Sequence, residues 1–322
     1  MPHRPKLLII TGATAAGKSA FIYRELTGLP LTIINADSRQ VYSALRVSSA
    51  GPSDQEMQLF PHRLYHFLPE NESFSAGAFI QRAAEEIAAA HEQGRLPVLC
   101  GGTYFYIHAL LSGLLPPLKI SEQVAARVAA MPADEAYALL REIDPAAAEK
   151  IHAHNLVRLR RALAVCLTAG RPISSIPREG AIRDKYDILM LIFDTAREQL
   201  LERVRQRVQG MFRAGLVAEV TRVFASVKAA DRLSQWRTWP ALTGIGIREF
   251  FESYEVMAVE PDALDALQLE TVSEAIVRNT MALVKRQRTW FRNAPDKPGH
   301  TKTVDPAYEN ERIAALAKDF LN

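Results

Sequence analysis

A phosphate-binding loop near the start of the chain is the feature that most constrains its fold. Residues 12–19 read G-A-T-A-A-G-K-S, which matches the pattern G-x-x-x-x-G-K-[ST]. An apolar run at residues 6–11 precedes the loop and predicts a buried strand, and a helical pattern follows from about Lys18. Because this motif requires a strand before it and a helix after it, the sequence predicts an α/β fold.

The residue types of the loop suit phosphate binding. Its glycines let backbone N–H groups curl around phosphate oxygens, and the following helix adds the positive end of its dipole. Lys18 supplies a positive charge, and Ser19 is the predicted Mg²⁺ ligand. The motif fits a nucleotide such as ATP and other phosphate compounds equally well. The predicted phosphate-binding residues are Gly12, Ala13, Thr14, Ala15, Ala16, Gly17, Lys18 and Ser19.

Strand and helix patterns alternate along the first third of the chain. Residues 31–35 and 96–100 predict two further strands, and an Ala-rich amphipathic helix at 76–93 lies between them. Such alternation is typical of a parallel sheet. We therefore predict a parallel sheet core of the P-loop NTPase type, with helices on both faces.

A helical segment interrupts this pattern. Pro116 and Pro117 mark a boundary, residues 121–169 read as helices, and strand character returns at 186–193. After Asp194 the pattern is helical to the end of the chain. The predicted α/β core therefore comprises residues 1–117 and 185–322, including a helical C-terminal segment, and an all-helical insertion domain spans residues 118–184.

Two of the predicted strands end in loops with polar side chains. Asp37 follows the second strand, and Gly101-Gly102-Thr103 follow the third. In open α/β sheets, ligands bind at the carboxyl ends of the strands. Asp37 suits a Mg²⁺ ligand or a catalytic base there, and it equally suits a helix cap. Thr103 suits a substrate contact or a helix N-cap.

Two basic segments contain no Asp or Glu, although the formal net charge of the chain is only +3. One segment spans residues 150–178 and the other spans residues 275–293. Such segments indicate binding to a polyanion such as RNA, or alternatively a solvated helix face. For Trp290 and Phe291, in the second segment, we favour packing in the core.

Cysteine content and hydropathy exclude several classes of protein. Cys100 and Cys166 are too few for a disulfide scaffold or a cysteine-based zinc module. No apolar run reaches the roughly 18 residues of a membrane helix. Residues 7–10 form too short an apolar run for a signal peptide. We therefore expect a soluble cytoplasmic protein without membrane association.

Two motifs are more specific than the phosphate loop. Residues 37–42 read Asp-Ser-Arg-Gln-Val-Tyr, and residues 285–292 read Lys-Arg-Gln-Arg-Thr-Trp-Phe-Arg. With the phosphate loop, residues 101–103 and residues 158–172, they span nearly the whole chain. In this order the motifs resemble those of the bacterial tRNA dimethylallyltransferases, also called tRNA isopentenyltransferases.

The resemblance implies transfer of a dimethylallyl group from dimethylallyl diphosphate to N6 of the adenosine 3′ of the anticodon in tRNA. The phosphate loop would hold the diphosphate with Mg²⁺, and Arg207 would bind it too. Asp37 would be the general base, and Thr103 would position the adenine amine or the diphosphate. We expect a monomer. The implied tRNA-binding residues are Asp37, Ser38, Arg39, Gln40, Arg158, Arg160, Arg161, Lys285, Arg286 and Gln287.

The chain departs from the usual pattern of this family at several positions. These departures concern RNA contacts and substrate preference more than the reaction, because Lys18, Asp37 and Thr103 are present. The residues, each followed by the residue common in the family, are Arg39 (Met), Gly51 (a basic residue), Arg63 (His), Val157 (Gln), Thr243 (Arg) and Ile247 (Tyr).

Three other functions remain open at this point. One is a prenyltransferase that acts on free adenine nucleotides, as in cytokinin formation; the basic segment at 275–293 argues against it, because a nucleotide needs no such extended surface. Another is a phosphate-loop kinase for a small molecule, in which Asp37 activates a hydroxyl group. The last is a tRNA-binding protein without catalytic activity.

Overall fold

The structure is a computed structural model that describes residues 4–294 and 297–321. Its strands are β1 (Lys6–Gly12), β2 (Leu31–Asn35), β3 (His62–Arg63), β4 (Leu96–Gly101), β5 (Asp187–Phe193) and β6 (His300–Val304). Its α-helices are α1 (Lys18–Glu25), α2 (Asp54–Leu59), α3 (Ala76–Glu92), α4 (Tyr104–Ser112), α5 (Glu122–Ala130), α6 (Ala133–Ile143), α7 (Pro145–Lys150), α8 (Leu156–Ala169), α9 (Arg197–Arg213), α10 (Leu216–Ala229), α11 (Arg248–Met257), α12 (Ala266–Asn293) and α13 (Asn310–Leu321). Short 3-10 helices lie at Ile173–Ser175, Leu233–Thr238 and Pro261–Ala263.

The strands form one parallel sheet in the order β3-β2-β4-β1-β5-β6. In the middle of this sheet, Ile9 of β1 pairs with Leu99 of β4 and with Met190 of β5. The predicted parallel α/β fold is confirmed. Because β2, β4 and β1 are neighbours and run in the same direction, the loops that follow them meet at one edge of the sheet.

Helices cover both faces of the sheet. Residues 7–10 of β1 are fully buried, and successive side chains of a strand point to opposite faces. Leu8 and Ile10 pack in one cluster with Phe21 of α1 and Ile313 of α13. Burial of Leu7 on the other face requires a second layer of helices there. The phosphate loop and α1 thus begin from a strand that the core holds on both sides.

The helical insertion forms a compact unit of its own, Ser112–Ala181. Helices α5 to α8 surround an apolar core that contains Val128, Leu140 and Leu163. The sequence predicted an insertion at 118–184. In the structure the unit begins and ends a few residues earlier. Near its two ends, Leu114 and Glu179 pair as antiparallel backbone, with N···O distances of 3.0 and 2.8 Å.

The prediction that the chain is helical from Asp194 to its end is wrong at β6. This strand pairs with β5 in parallel, and Leu189 lies opposite His300. Its residues read His-Thr-Lys-Thr-Val, and of these Val304 alone is buried. An edge strand with polar side chains has no apolar pattern, so sequence periodicity did not reveal it.

The longest helix of the segment predicted to be helical after Asp194 is α12, which has 28 residues. It begins with a capping box: Gln268 N–H donates to the Asp265 carboxylate, and Asp265 N–H donates to the Gln268 side chain, both at 2.9 Å.

Across residues 4–294 and 297–321, no helix combines the length and the apolar character needed to cross a membrane.

Candidate functional site

Three loops meet at the carboxyl edge of the sheet. The loops after β2 and β4 are joined by backbone hydrogen bonds, from Ala36 N–H to Cys100 O at 2.8 Å and from Thr103 N–H to Ala36 O at 3.1 Å. The Thr11 hydroxyl, at the end of β1, donates to Gly101 O at 2.8 Å. The phosphate loop, the Asp37 loop and residues 101–103 therefore form one continuous site.

Two glycines allow these backbones to approach each other closely. Gly12 has a φ of 138°, and a Cβ at this position would collide with the Phe193 carbonyl on β5. A Cβ on Gly101 would collide with the backbone of Ala36. The first glycine of the phosphate-loop motif therefore serves the packing of the strands as well as the turn.

Lys18 is held inside the phosphate loop. Its ammonium donates to the carbonyls of Gly12 and Ala13, at 3.0 and 2.8 Å. Burial lowers the pKa of Lys18 below its ordinary value, while the nearby Asp37 carboxylate acts in the opposite direction. A bound phosphate would place a negative charge beside this buried ammonium and so stabilise its charged form. Burial also raises the pKa of Cys100 to about 11, so this thiol stays protonated at neutral pH.

A cavity of about 290 Å³ opens over the phosphate loop. Cationic groups line it, namely Lys18, Arg203 and Arg207, together with the Asp37 carboxylate. The hydroxyl-bearing residue Ser19, in the first turn of α1, lines the same cavity. This combination suits an anionic ligand held next to a group that can accept a proton.

Helix α9 brings two arginines to the cavity. Arg207 donates from its guanidinium to Ser49 O at 3.0 Å, and burial lowers its pKa while Asp37 acts in the opposite direction. Since a guanidinium has five N–H donors, Arg207 retains donors for an anion. Arg203 was not among the predicted ligands. The spacing of two arginines four residues apart on a helix is the signal that could have identified it.

The Asp37 carboxylate is oriented by its own loop. Its Oδ1 accepts a hydrogen bond from the backbone N–H of Arg39 at 2.8 Å. The Asp37 N–H donates to Asn35 Oδ1 at 2.7 Å, and Asn35 Nδ2 donates back to Asp37 O at 2.9 Å. The turn that follows Asp37 is not helical, and the next helix begins at Asp54. The alternative role of a helix cap therefore does not apply to Asp37.

Thr103 joins its loop to the Asp37 loop. Its hydroxyl accepts a hydrogen bond from the Ser38 N–H at 3.0 Å, and it lies 3.3 Å from the Ser38 hydroxyl, to which it donates. Residue 104 begins α4. Thr103 and Ser38 thus lie together beside Asp37.

Arg39 and Gln40 are both engaged within the chain. The Arg39 guanidinium donates to the carbonyl of Pro240 at 2.7 Å and also to that of Ala241. The Gln40 amide donates to Ala50 O at 3.1 Å, and Gln40 lines the cavity. Their contacts with tRNA stay predictions; in the structure their side chains fasten the Asp37 loop to other parts of the core.

Helix α12 presents its predicted RNA contacts in two environments. Lys285 and Arg286 are exposed. Gln287 is half-buried, and its amide bonds to Thr14 N and to Gly102 O, both at 2.9 Å. Thr14 is 273 positions away in sequence, so no local pattern could have revealed this contact.

The remaining predicted RNA contacts lie on α8 in the helical insertion. Arg158 and Arg161 are exposed. Arg160 is half-buried, and its guanidinium donates to Met131 O at 3.4 Å within the same unit. The exposed pair gives this helix a basic surface.

The fold and the cavity together define a phosphate-loop protein of the α/β class, in which cationic side chains and a carboxylate line one cavity. The family model described as IPP transferase matches residues 40–294 of the chain. The chain belongs to this IPP transferase family.

Relatives with assigned names agree with this result. The tRNA dimethylallyltransferase of Synechococcus sp. (strain JA-3-3Ab) is 36% identical over 295 residues, which cover 91% of this chain and 81% of the relative. That of Geobacter sulfurreducens is 33% identical and covers 98% of this chain and 97% of the relative. The crystal structure of the full-length tRNA isopentenylpyrophosphate transferase from Bacillus halodurans superposes with a TM-score of 0.66 at 28% identity, over 99% of this chain and 97% of that one. The predicted family, and with it a transferase activity, is confirmed.

Proposed function

We propose that this protein transfers a dimethylallyl group from dimethylallyl diphosphate to N6 of the adenosine 3′ of the anticodon in tRNA. One observation carries the proposal: the Asp37 carboxylate borders the same cavity as Lys18 and Arg207. A base next to a cluster of cations suits a reaction in which an anion leaves while a proton is removed. The relatives named tRNA dimethylallyltransferase support the choice of acceptor.

The donor diphosphate binds at the phosphate loop, residues 12–19. The first N–H groups of α1 have no acceptor within the helix and are available to phosphate oxygens. Lys18 and Arg207 add positive charge from the walls of the cavity. As the allylic C–O bond breaks, its electron pair stays on the diphosphate oxygen, and these groups stabilise the negative charge that develops there.

The acceptor adenine binds beside Asp37. N6 attacks C1 of the dimethylallyl group, so a C–N bond forms while the C–O bond to diphosphate breaks. The proton that N6 loses moves to the Asp37 carboxylate, which orients the amine beforehand. Thr103 and Ser38 lie next to this carboxylate and position it relative to the adenine. The adenine must leave its stack in the anticodon loop to enter the site.

The residues at the cavity also fit Mg²⁺. Mg²⁺ prefers oxygen ligands and usually combines a few protein oxygens with phosphate oxygens and water. Ser19 lies in the first turn of α1 and lines the cavity. We assign Ser19 as the protein ligand. When bound, the ion would add positive charge next to the leaving diphosphate.

The proposed tRNA contacts come from two basic helices. Lys285 and Arg286 are exposed on α12, and Arg158 and Arg161 are exposed on α8. Such side chains bind RNA mainly through its phosphates. We propose that the protein acts as a monomer. Because its substrate tRNA is found in the cytoplasm, we place the reaction there.

Mass spectrometry of nucleosides tests the proposal. The protein is incubated with unmodified tRNA, labelled dimethylallyl diphosphate and Mg²⁺, and we expect one prenylated adenosine on the 3′ side of the anticodon. Absence of transfer under every condition would contradict it. Preferential labelling of AMP would instead favour a nucleotide prenyltransferase, and phosphoryl transfer from ATP would favour a kinase.

A matched pair of variants tests the role of Asp37. Asp37→Asn removes the proton acceptor while keeping the shape, and we expect kcat to fall by roughly 10²–10⁴ with little change in tRNA affinity. The control is Asp231→Asn, at an exposed position with a φ of 53° that asparagine tolerates. An equal loss of tRNA binding in Asp37→Asn would refute its assignment as the base.

A further inference from the structure

The side chain of Gln287 connects the two halves of the site. Its oxygen accepts a hydrogen bond from Thr14 N–H at 2.9 Å, and its NH₂ group donates to Gly102 O at 2.9 Å. One amide therefore bridges the loop that binds the donor and the loop that carries Thr103. Both partners are backbone groups, so the bridge depends on the side chain at position 287.

The approach of Gln287 to Gly102 is close. A Cβ on Gly102 would lie 2.7 Å from Gln287 Nε2 and 3.4 Å from Gly12 O. Gly102 is not among the glycines with a positive φ, so its backbone conformation is open to other residues. The lack of a side chain at this position serves the approach of Gln287 rather than the turn itself.

Helix α12 holds Gln287 in place. Val284 and Phe291, three residues before and four residues after it, share its helix face and are 2% and 4% exposed. The bridging amide thus extends from a helix that is anchored in the core on both sides of it. The exposed Lys285 and Arg286 precede it directly and face solvent.

We infer that Gln287 is a positioning residue for the transfer reaction. It fixes the spacing between the donor on the phosphate loop and the acceptor amine beside Asp37 and Thr103. The inference rests on the proposed function. Two bound reactants must meet in a near-attack geometry, and a displacement of about 1 Å can lower the rate about 10²-fold. This role differs from the direct RNA contact that the family resemblance implies for Gln287, and that contact stays a prediction.

The main test is Gln287→Met, which keeps the length of the side chain and removes both hydrogen bonds. We expect kcat to fall by roughly 10- to 100-fold, because the two loops lose their fixed spacing. The dissociation constants for tRNA and for inorganic diphosphate should change by less than about threefold, since neither loop loses a group that contacts its ligand. A rise in the tRNA dissociation constant with unchanged kcat would identify an RNA contact and overturn the inference.

Two further variants complete the kinetic test. In Gly102→Ala the added methyl group displaces the Gln287 amide from the loop that carries Gly102. This variant should lower kcat in the same way, and it provides the test if Gln287→Met does not fold. Thr289→Ala is the control; Thr289 is exposed on the same helix, and its hydroxyl bonds to Lys285 O within that helix. Unchanged kcat in both Gln287→Met and Gly102→Ala would overturn the inference.

Hydrogen exchange of the phosphate loop provides a readout that does not depend on catalysis. The Thr14 N–H is bonded to Gln287, so Gln287→Met should speed its exchange, and Thr289→Ala should leave it unchanged. Protection of Thr14 that persists in Gln287→Met would overturn the bridge. A wild-type protein without transfer activity would refute the proposed function instead, and the exchange data separate the two failures.

Discussion

The guanidinium of Arg39 occupies the space that a side chain on Gly244 would need. A Cβ built on Gly244 collides with this group, which donates to the carbonyls of Pro240 and Ala241. The Thr243 hydroxyl donates to the same Pro240 carbonyl at 2.9 Å. Two departures from the family pattern, at positions 39 and 243, therefore share one acceptor. Through the Arg39 side chain, the Asp37 loop is hydrogen-bonded to the backbone of Pro240 and Ala241.

A double-mutant cycle tests this packing. Gly244→Ala should lower the free energy of unfolding by about 1–2 kcal/mol, because the methyl group displaces the guanidinium from its carbonyl acceptors. In an Arg39→Met background the same change should cost much less. Urea unfolding measures both. Gly210→Ala, with no atom within 4 Å of the added methyl group, is the control; an equal loss from Gly244→Ala in both backgrounds would contradict the prediction.

The bond between Thr103 and Ser38 leads to a second prediction. Thr103→Val keeps the shape of the side chain but leaves the Ser38 N–H without its acceptor at 3.0 Å, so the Asp37 loop loses a restraint. We expect kcat to fall about tenfold, in keeping with the loss of one partly buried hydrogen bond, and Thr103→Ser to retain most of the rate. Single-turnover kinetics at saturating tRNA provide the measurement. Equal rates for the valine and serine variants would show that the hydroxyl is dispensable.

Local patterns were sufficient to predict most of the fold. Buried strands such as β1 and β2 have continuous apolar runs, and α3 has a clear amphipathic period with Ser75 as its N-cap. Strand β6 was missed because its side chains are mostly exposed and polar, so its pairing with β5 is decided by the sheet and not by its own composition. Phe291 is buried as expected, whereas Trp290 is 41% exposed.

The parts of the site that are formed by residues close together in sequence could be predicted. The loops after β1, β2 and β4 could be placed at one edge because parallel strands share a direction. The contacts of Arg39 with Pro240 and of Gln287 with Thr14 join residues more than 200 positions apart. Such contacts depend on how helices pack, which no local period encodes.

The buried ammonium of Lys18 predicts a pH dependence of donor binding. Burial lowers the pKa of Lys18 below its ordinary 10.5, so the folded protein releases this proton at a lower pH than the unfolded chain does. Diphosphate favours the ammonium form, and its affinity should therefore begin to fall at a lower pH than the ordinary pKa of a lysine predicts. The stability of the free protein changes in the opposite direction. As pH rises, the buried Lys18 loses its charge more readily than in the unfolded chain, so the free energy of unfolding increases.

Calorimetric titration with inorganic diphosphate at several pH values measures this effect. Lys18→Met should bind diphosphate weakly and lose the part of the pH dependence that Lys18 contributes. The same substitution should flatten the rise in the free energy of unfolding with pH. A wild-type affinity that falls only as the pH reaches the ordinary lysine pKa of 10.5 would show that the Lys18 ammonium is not perturbed.

The exposed pair on α12 predicts how tRNA binding responds to salt. Lys285→Ser combined with Arg286→Ser removes two cations that release counterions when they meet RNA phosphates. The slope of log Kd against log salt concentration should therefore become shallower by about 1.4–1.8, which is about 0.7–0.9 for each phosphate contact. The matched control is Arg312→Ser combined with Lys318→Ser, which removes two exposed cations from α13 and changes the net charge equally. If both double variants shift the slope alike, net charge and not the α12 surface governs binding; if only the α12 variant does so, while kcat at saturating tRNA is maintained, α12 contacts the RNA backbone.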